Sequence, residues 1–445
     1  MKNCLFFLLL FLSFSAFGQE IKEKLTSSET IADIDFLTKT IQAVHPKPYL
    51  HISEEEFETE QKALIQKYKK AENIKLKDFF LDLIAFFALL GDAHSQPYLS
   101  RSFFKLESDS AALFPLQLRY DPDLKAVFSE DKKLLKVNGQ DATELYQNAL
   151  AYQAGTFAFR QNYVSNYFFP VFLYLKGIYP PFEVEFKGKV AKTFNPISYL
   201  EIYDRISPHV NPYSFKILEN EVGYLQCNAC QDYRAFKTFL KKTFKELEDK
   251  EIAHLIIDIR YNFGGDSGLN DLLLPYISQK PYRQSAGRHW KVSQAMKDRM
   301  DDKLYRRAFG KRFIAQYRRA QNGSFLKEDE YPLMKPKHPK DFFEGKVAVL
   351  IGPQTFSSAN FLADAIKTYE LATLIGQPTG ELTNDFGEQL SFELPNSGIS
   401  FGLSSAYDIG ADNDLDKVSP VQPDIFIEED TLKYALDWIR SVRDD

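Results

Sequence analysis

Cysteine, methionine and tryptophan are scarce in this chain, with 3, 4 and 2 residues among 445. So few cysteines exclude a scaffold stapled by many disulfides. A four-ligand zinc site is excluded as well, because Cys227 and Cys230 form one C-N-A-C pair with no second ligand pair. Beyond residue 18 no apolar run is long enough to span a bilayer. Positive charge is not in excess. The net charge of -6 argues against nucleic acid as the main partner. Internal repeats and low-complexity tracts are missing too, which excludes a solenoid.

What is present is an ordinary globular composition, 44% hydrophobic and 26% charged, in a chain long enough for two or three domains. At the N-terminus Lys2 precedes the apolar run Leu5 to Phe14, followed by Ala16–Phe17–Gly18. That order predicts a signal peptide over residues 1–18, and a mature protein that is exported to the periplasm or the exterior. In such an oxidising compartment Cys227 and Cys230 either close a small disulfide loop or remain two thiols. No helix pattern starts at the pair, which argues against redox catalysis.

Residues 19–105 read as a helical domain. Apolar residues at Phe36, Leu37, Ile41 and Val44 share a helix face. Ser53 to Glu56 is a capping-box pattern. Lys75 to Leu90 is apolar on several faces, and Gly91 ends it. Residues 106–212 change to short strands, with alternation at Phe114 to Tyr120 and Phe182 to Phe186. Residues 213–445 alternate strands and helices, which predicts an α/β domain built on a mostly parallel sheet. An insertion, 283–345, interrupts it. Its first part, 283–320, holds twelve Lys/Arg against three Asp. That segment reads either as a solvated helical face or as a cover beside the site that attracts acidic groups.

Two turns carry candidate chemistry. In Val347 to Gly376 a buried strand meets a helix at Ser357–Ser358, where a serine is exposed beside backbone N–H groups. The helix face formed by Leu362, Ala365, Ile366 and Tyr369 puts Ser357 at the turn and Ser358 in the first helical turn. Either serine would also serve as a plain helix cap. Far upstream, the strand Leu255 to Ile259 runs into Gly264–Gly265, a pair able to donate N–H groups to an oxyanion. Among seven histidines, His94 in the polar loop Gly91 to Ser95 is the first choice as base.

These segments resemble the S41 peptidase family, which includes carboxy-terminal processing proteases and the tricorn core protease. Leu255 to Gly265 is similar to the family's D-x-R-x-N-x-G-G strand end. Thr355 to Asn360 resembles its T-x-S-x-A-E turn, with Asn360 in place of the Glu. Leu374 to Gly380 resembles I-G-x-x-T-G. Leu394 to Gly398 and Val421 to Ile425 resemble weaker C-terminal signatures, Gly91 to Ser95 the G-D-x-H-[ST] motif of tricorn-like members, and Lys136 to Gly139 a PDZ-like turn.

The resemblance implies a ClpP/crotonase-like catalytic domain, a small β-rich PDZ-like segment, and a serine endopeptidase acting on peptides or proteins without cofactor or metal. It places the nucleophile on Ser357, the base on His94, and the oxyanion donors on the N–H groups of Gly264 or Gly265 and of Ser358. Processing members carry a dyad lysine soon after I-G-x-x-T-G, where this chain has Glu381–Leu382–Thr383. The Ser–His type of tricorn-like members therefore fits better. Its acidic position falls on Lys417, so Asp416 is the expected carboxylate, with Glu381 and Asp414 as competitors and Lys417 as an alternative base. Asn360 and the missing lysine also fit a second expectation, a weak or inactive S41-like protein that binds peptides or apolar ligands.

Overall fold

The computed structural model describes residues 22–98, 112–206, 211–218 and 221–441. The expected signal peptide lies outside them, as does the expected segment border at 105. The chain packs as two units that divide between residues 209 and 210, and the first unit also takes residues 389–404 from far downstream. Among the described residues no helix is long and apolar enough to cross a membrane.

The first unit opens with three helices, α1 (Ser27–Val44), α2 (Glu54–Tyr68) and α3 (Leu76–Ala88). Capping boxes start the first two, Thr26 with Glu29 and Ser53 with Glu56. Each box satisfies two of the amides that a helix start leaves unpaired. Helix α1 begins nine residues before Phe36, the first residue of the apolar face, because its cap is Thr26. An antiparallel sheet follows, in the order β1 (Arg119–Asp121), β2 (Ala126–Ser129), β3 (Lys132–Val137), β4 (Phe182–Phe186) and β5 (Lys192–Phe194).

The second unit is mixed α/β. Its main sheet has the order β6 (Tyr213–Leu218), β7 (Val222–Cys227), β8 (His254–Asp258), β9 (Lys346–Ile351), β10 (Thr373–Gly376) and β11 (Ile425–Phe426). From β7 to β11 every pairing is parallel. Parallel strands need both faces covered, and side chains alternate accordingly. Leu255, Ile257, Val349 and Ile351 join one core with Phe236, Phe244, Leu362 and Ile366 of the helices Tyr233–Asp249 (α4) and Ser358–Tyr369 (α5). Ile256, Ala348 and Leu350 face the opposite way, onto Ala435 and Ile439 of the helix Thr431–Ser441 (α6).

The insertion is not purely helical. Strands at Gly287–Lys291 and Phe325–Glu328 flank its helix Lys303–Arg319 and pair with each other. The first of them also pairs with residues 406–409 of the long strand Ser400–Ile409. Charge hid this strand in the sequence. Arg288 is one of its residues, and in the fold its guanidinium is neutralised by Asp408 and Glu388.

Strands Asp385–Glu393 and Ser400–Ile409 form a hairpin whose tip, residues 389–404, belongs to the first unit. Asp33 of α1 holds that tip. Its Oδ1 accepts from the Asn396 backbone N–H and from Asn396 Nδ2, both at 2.9 Å, and its Oδ2 accepts from the Ser397 N–H at 2.8 Å. Asp33 is fully buried, so Asp33→Ala leaves buried donors unpaired. The expected loss of stability is on the order of 3 kcal/mol. Urea unfolding measures it, and an unchanged midpoint would show that the tip is held by something else.

Candidate active site

In the second unit the ends of β8 and β9 are laced together just beyond the sheet. The Ile259 N–H donates to the Leu350 carbonyl at 3.0 Å, and the Phe356 N–H to the Asn262 carbonyl at 3.0 Å. Thr355, fully buried, donates its hydroxyl to the Ile259 carbonyl at 2.9 Å and accepts from the Gly352 N–H at 3.0 Å. Asp258 fixes the following loop by pairing with Arg260 through Oδ2 at 2.7 Å, while Tyr224 donates to the same oxygen at 2.7 Å.

Between these strand ends Ser357 adopts φ 53° and ψ −124°, and α5 begins at the next residue. A non-glycine residue at positive φ is strained unless its surroundings impose the conformation. Here the Ser357 N–H donates to Glu381 Oε2, and both residues are buried. Glu381 is positioned in turn. The Gly380 N–H donates to the Thr355 carbonyl at 3.1 Å, and Thr379 exchanges bonds with Val421, N–H to carbonyl at 3.1 Å and Oγ1 from N–H at 3.0 Å. The C-terminal signature thus holds the segment that holds Ser357. Glu381, in sequence a rival to Asp416, sits instead on the Ser357 amide, a place that no sequence signal marks.

Gly264 lies against this turn at φ 98°. A β-carbon on it would sit 2.6 Å from Ser357 Cβ and 2.9 Å from both the Phe356 carbonyl oxygen and the Ser358 nitrogen. Gly265, at φ 131°, would collide with the Cys230 carbonyl oxygen at 2.2 Å. Both positions demand glycine. Their amides differ. The Gly264 N–H already donates to Asn262 Oδ1 at 2.8 Å, so this expected oxyanion donor is occupied, and Gly264 serves the turn through its missing side chain. The Gly265 N–H takes no part in these bonds. The Ser358 N–H belongs to the first turn of α5, where backbone donors lack partners within the helix.

His94 lies in the first unit, in the loop after α3. Hairpin residues stitch that loop down. Gln96–Pro97 pairs with Phe401–Gly402, the Ser404 N–H donates to Ser95 Oγ at 3.1 Å, and Gln389 Nε2 donates to the His94 carbonyl. Gly91 turns the chain at φ 67°, and the His51 ring fills the space a β-carbon would need.

The carboxylate beside His94 is Asp92, fully buried. It accepts from the His94 backbone N–H at 2.8 Å, from Ser95 Oγ and from His45 Nε2 at 3.2 Å, and its Oδ1 lies 3.8 Å from His94 Nδ1. His45 Nδ1 accepts from the Lys47 N–H at 3.3 Å, so Nε2 carries the proton given to Asp92. Burial pushes the Asp92 carboxyl up. The His45 hydrogen bond, with the neighbouring His94 and the Ser95 hydroxyl, outweighs it and holds the group at about 2.

Asp416, the expected orienting carboxylate, is exposed, and so is Asp414, which accepts the Asp416 N–H at 3.1 Å. A carboxylate that fixes a buried imidazole has to be buried with it, and both of these face water. Lys417 is paired with Asp412 at 2.8 Å. Asn360 donates to the Leu382 carbonyl at 2.8 Å. Cys227 and Cys230 are buried free thiols. Burial raises both, Cys230 to about 12 even though the Asn262 side chain favours its thiolate, which makes them poor nucleophiles.

Residues 221–427 match the model of Peptidase family S41. The chain carries an S41 peptidase domain. S41 is a family of serine peptidases. Among solved structures, mature CPAF matches with a TM-score of 0.62 at 15% identity, covering 93% of this chain and 96% of that one. Mature CPAF complexed with lactacystin matches with 0.62 at 14%, covering 93% and 97%. The photosystem II D1 C-terminal processing protease matches with 0.46 at 14%, covering 94% and 98%. At these identities the CPAF likeness shows a shared fold. Among curated proteins no sequence matches.

Two outcomes test the S41 site. Gly264→Ala forces the serine turn apart and is expected to lower peptidase activity by at least about 100-fold. Activity within threefold of wild type would mean the close approach is dispensable. Cys227 and Cys230 are expected to react with a thiol reagent only after denaturation, and immediate reaction of either in native protein would show an open site.

Proposed function

We propose that this chain is an exported serine endopeptidase, periplasmic or extracellular, that hydrolyses peptides or proteins through an acyl-enzyme on Ser357. In this reading the second unit is the ClpP/crotonase-like catalytic domain, and the β1–β5 sheet is the PDZ-like segment. The backbone of Ser357 carries the reading. A serine held at φ 53° between a buried parallel strand and a helix, against two obligatory glycines, has the setting of an activated nucleophile. A plain helix cap does not account for it, because Ser357 makes no side-chain capping bond.

His94 takes the proton from Ser357 Oγ as that oxygen attacks the peptide carbonyl, then gives it to the departing amine. Water, deprotonated by the same imidazole, cleaves the ester and frees Ser357. The N–H groups of Gly265 and Ser358 hold the oxyanion, each donor being worth roughly 3 kcal/mol in such sites. Asp92 takes the orienting role expected of Asp416. Its burial and depressed pKa support this, since it stays ionised wherever the imidazole works.

A fluorophosphonate probe is expected to label the wild type and spare Ser357→Ala; equal labelling of both would sink the nucleophile assignment. Asp92→Asn is expected to lower kcat by about 1,000- to 10,000-fold with probe access retained, and a wild-type kcat would remove Asp92 from the site. The same variant separates stability from catalysis. Because the folded-state pKa of Asp92 is depressed, its stabilisation is complete above the ordinary 3.8 and is lost as pH falls towards about 2. Acid unfolding should therefore depend less on pH across that window in Asp92→Asn than in the wild type.

A further inference from the structure

Ser358, beside the nucleophile, is gripped by groups that the proposed reaction does not itself use. Its hydroxyl donates to the Gly265 carbonyl at 2.6 Å, which ties the two oxyanion-bearing turns to each other. Its carbonyl accepts from Asn270 Nδ2 at 2.8 Å. The same Nδ2 donates to Gln284 Oε1 at 2.7 Å, and Gln284 Nε2 donates to Asp271 Oδ1 at 2.6 Å and to the Ser267 carbonyl at 3.1 Å. Ser358 and Asn270 are buried.

The direction of this chain is dictated by chemistry. A backbone carbonyl only accepts, so Gln284 must present its NH2 to Ser267 and with it to Asp271. Its carbonyl then faces Asn270, which must present its own NH2, and both protons of that group are used, one on Gln284 and one on Ser358. Neither amide can flip without breaking two bonds. Asn270 sits at the start of the helix Asn270–Ile277, and Gln284 at the beginning of the insertion. The insertion is thereby wired to the residue whose N–H faces the oxyanion.

We propose that Asp271, Gln284 and Asn270, together with the Ser358 hydroxyl, are positioning residues that fix the Ser358 backbone for oxyanion binding. The inference rests on the Ser357 reading above. A merely structural network would change stability and leave the transition state as well bound as before. A positioning network, once cut, loses transition-state binding while substrate affinity stays.

The test compares wild type, Ser358→Ala, Ser358→Thr, Gln284→Met and Gln284→Glu on one peptide substrate and one peptide boronate, with thermal melting as the check on folding. Ser358→Ala and Gln284→Met are expected to lose up to about 100-fold in kcat with KM within twofold. The boronate should weaken by the same factor, and Ser358→Thr, which keeps the hydroxyl, should recover most of the loss. Gln284→Glu places an acceptor against Asp271 and should be no better than Gln284→Met. Gln284 is only half-buried, so its variants keep the test open should Ser358→Ala fail to fold. Unchanged kcat in folded variants, or a kcat loss with unchanged boronate affinity, overturns the proposal. A wild type that neither cleaves peptides nor takes the fluorophosphonate overturns the Ser357 reading itself, and this inference falls with it.

Discussion

There is no room for a β-carbon where Gly264 meets Ser357, and most of the site follows from that contact. Two parallel strands end side by side, and the loops that leave them are pressed together by backbone hydrogen bonds and by the buried Thr355 hydroxyl. The approach sets Gly264 directly against Ser357 Cβ and the Ser358 nitrogen. It also makes each amide's partner consequential. Asn262 takes the Gly264 N–H and Glu381 takes the Ser357 N–H, so the fold rather than residue type decides which of these amides are already spent.

Glu381 shows how such a contact is sustained. A positive φ at serine costs on the order of 1–3 kcal/mol, and a hydrogen bond from a buried amide to a carboxylate offsets much of that. The carboxylate is itself placed by Thr379, which is placed by Val421. Residues more than 60 positions beyond the nucleophile therefore set its backbone. In the first unit Asp92 accepts three hydrogen bonds, from His45, His94 and Ser95, which keeps a buried charge from becoming a liability.

Much of this arrangement was legible in the chain. Buried parallel strands read as short apolar runs, so His254–Asp258 and Lys346–Ile351 stood out, and the capping residues gave α2 directly. The long strand Ser400–Ile409 did not stand out, because it buries Ser404, Ser405 and Asp408 and shows no alternation. Arg288 disguised another strand as part of a basic surface. Ser357, Gly264 and Gly265 meet at the turns where the sequence put them, and His94 lies in the polar loop read for it. The carboxylates were not readable. Asp416 was favoured by its distance from a motif, whereas what qualifies a carboxylate is burial and a partner, and His45 for Asp92 and Ser357 for Glu381 lie 47 and 24 positions away along the chain.

The grip of Asp33 on the hairpin tip bears on how the protein comes into being. Asp33 and Asn396 are 363 positions apart. At ribosomal speeds of about 5–20 residues per second, roughly 20 to 70 s separate the synthesis of the two. Through that interval the first unit waits with a buried carboxylate uncapped and the loop of His94 without its stitching. The loop of His94 cannot be stitched down until nearly the whole chain exists, so the order of translation itself delays completion of the first unit.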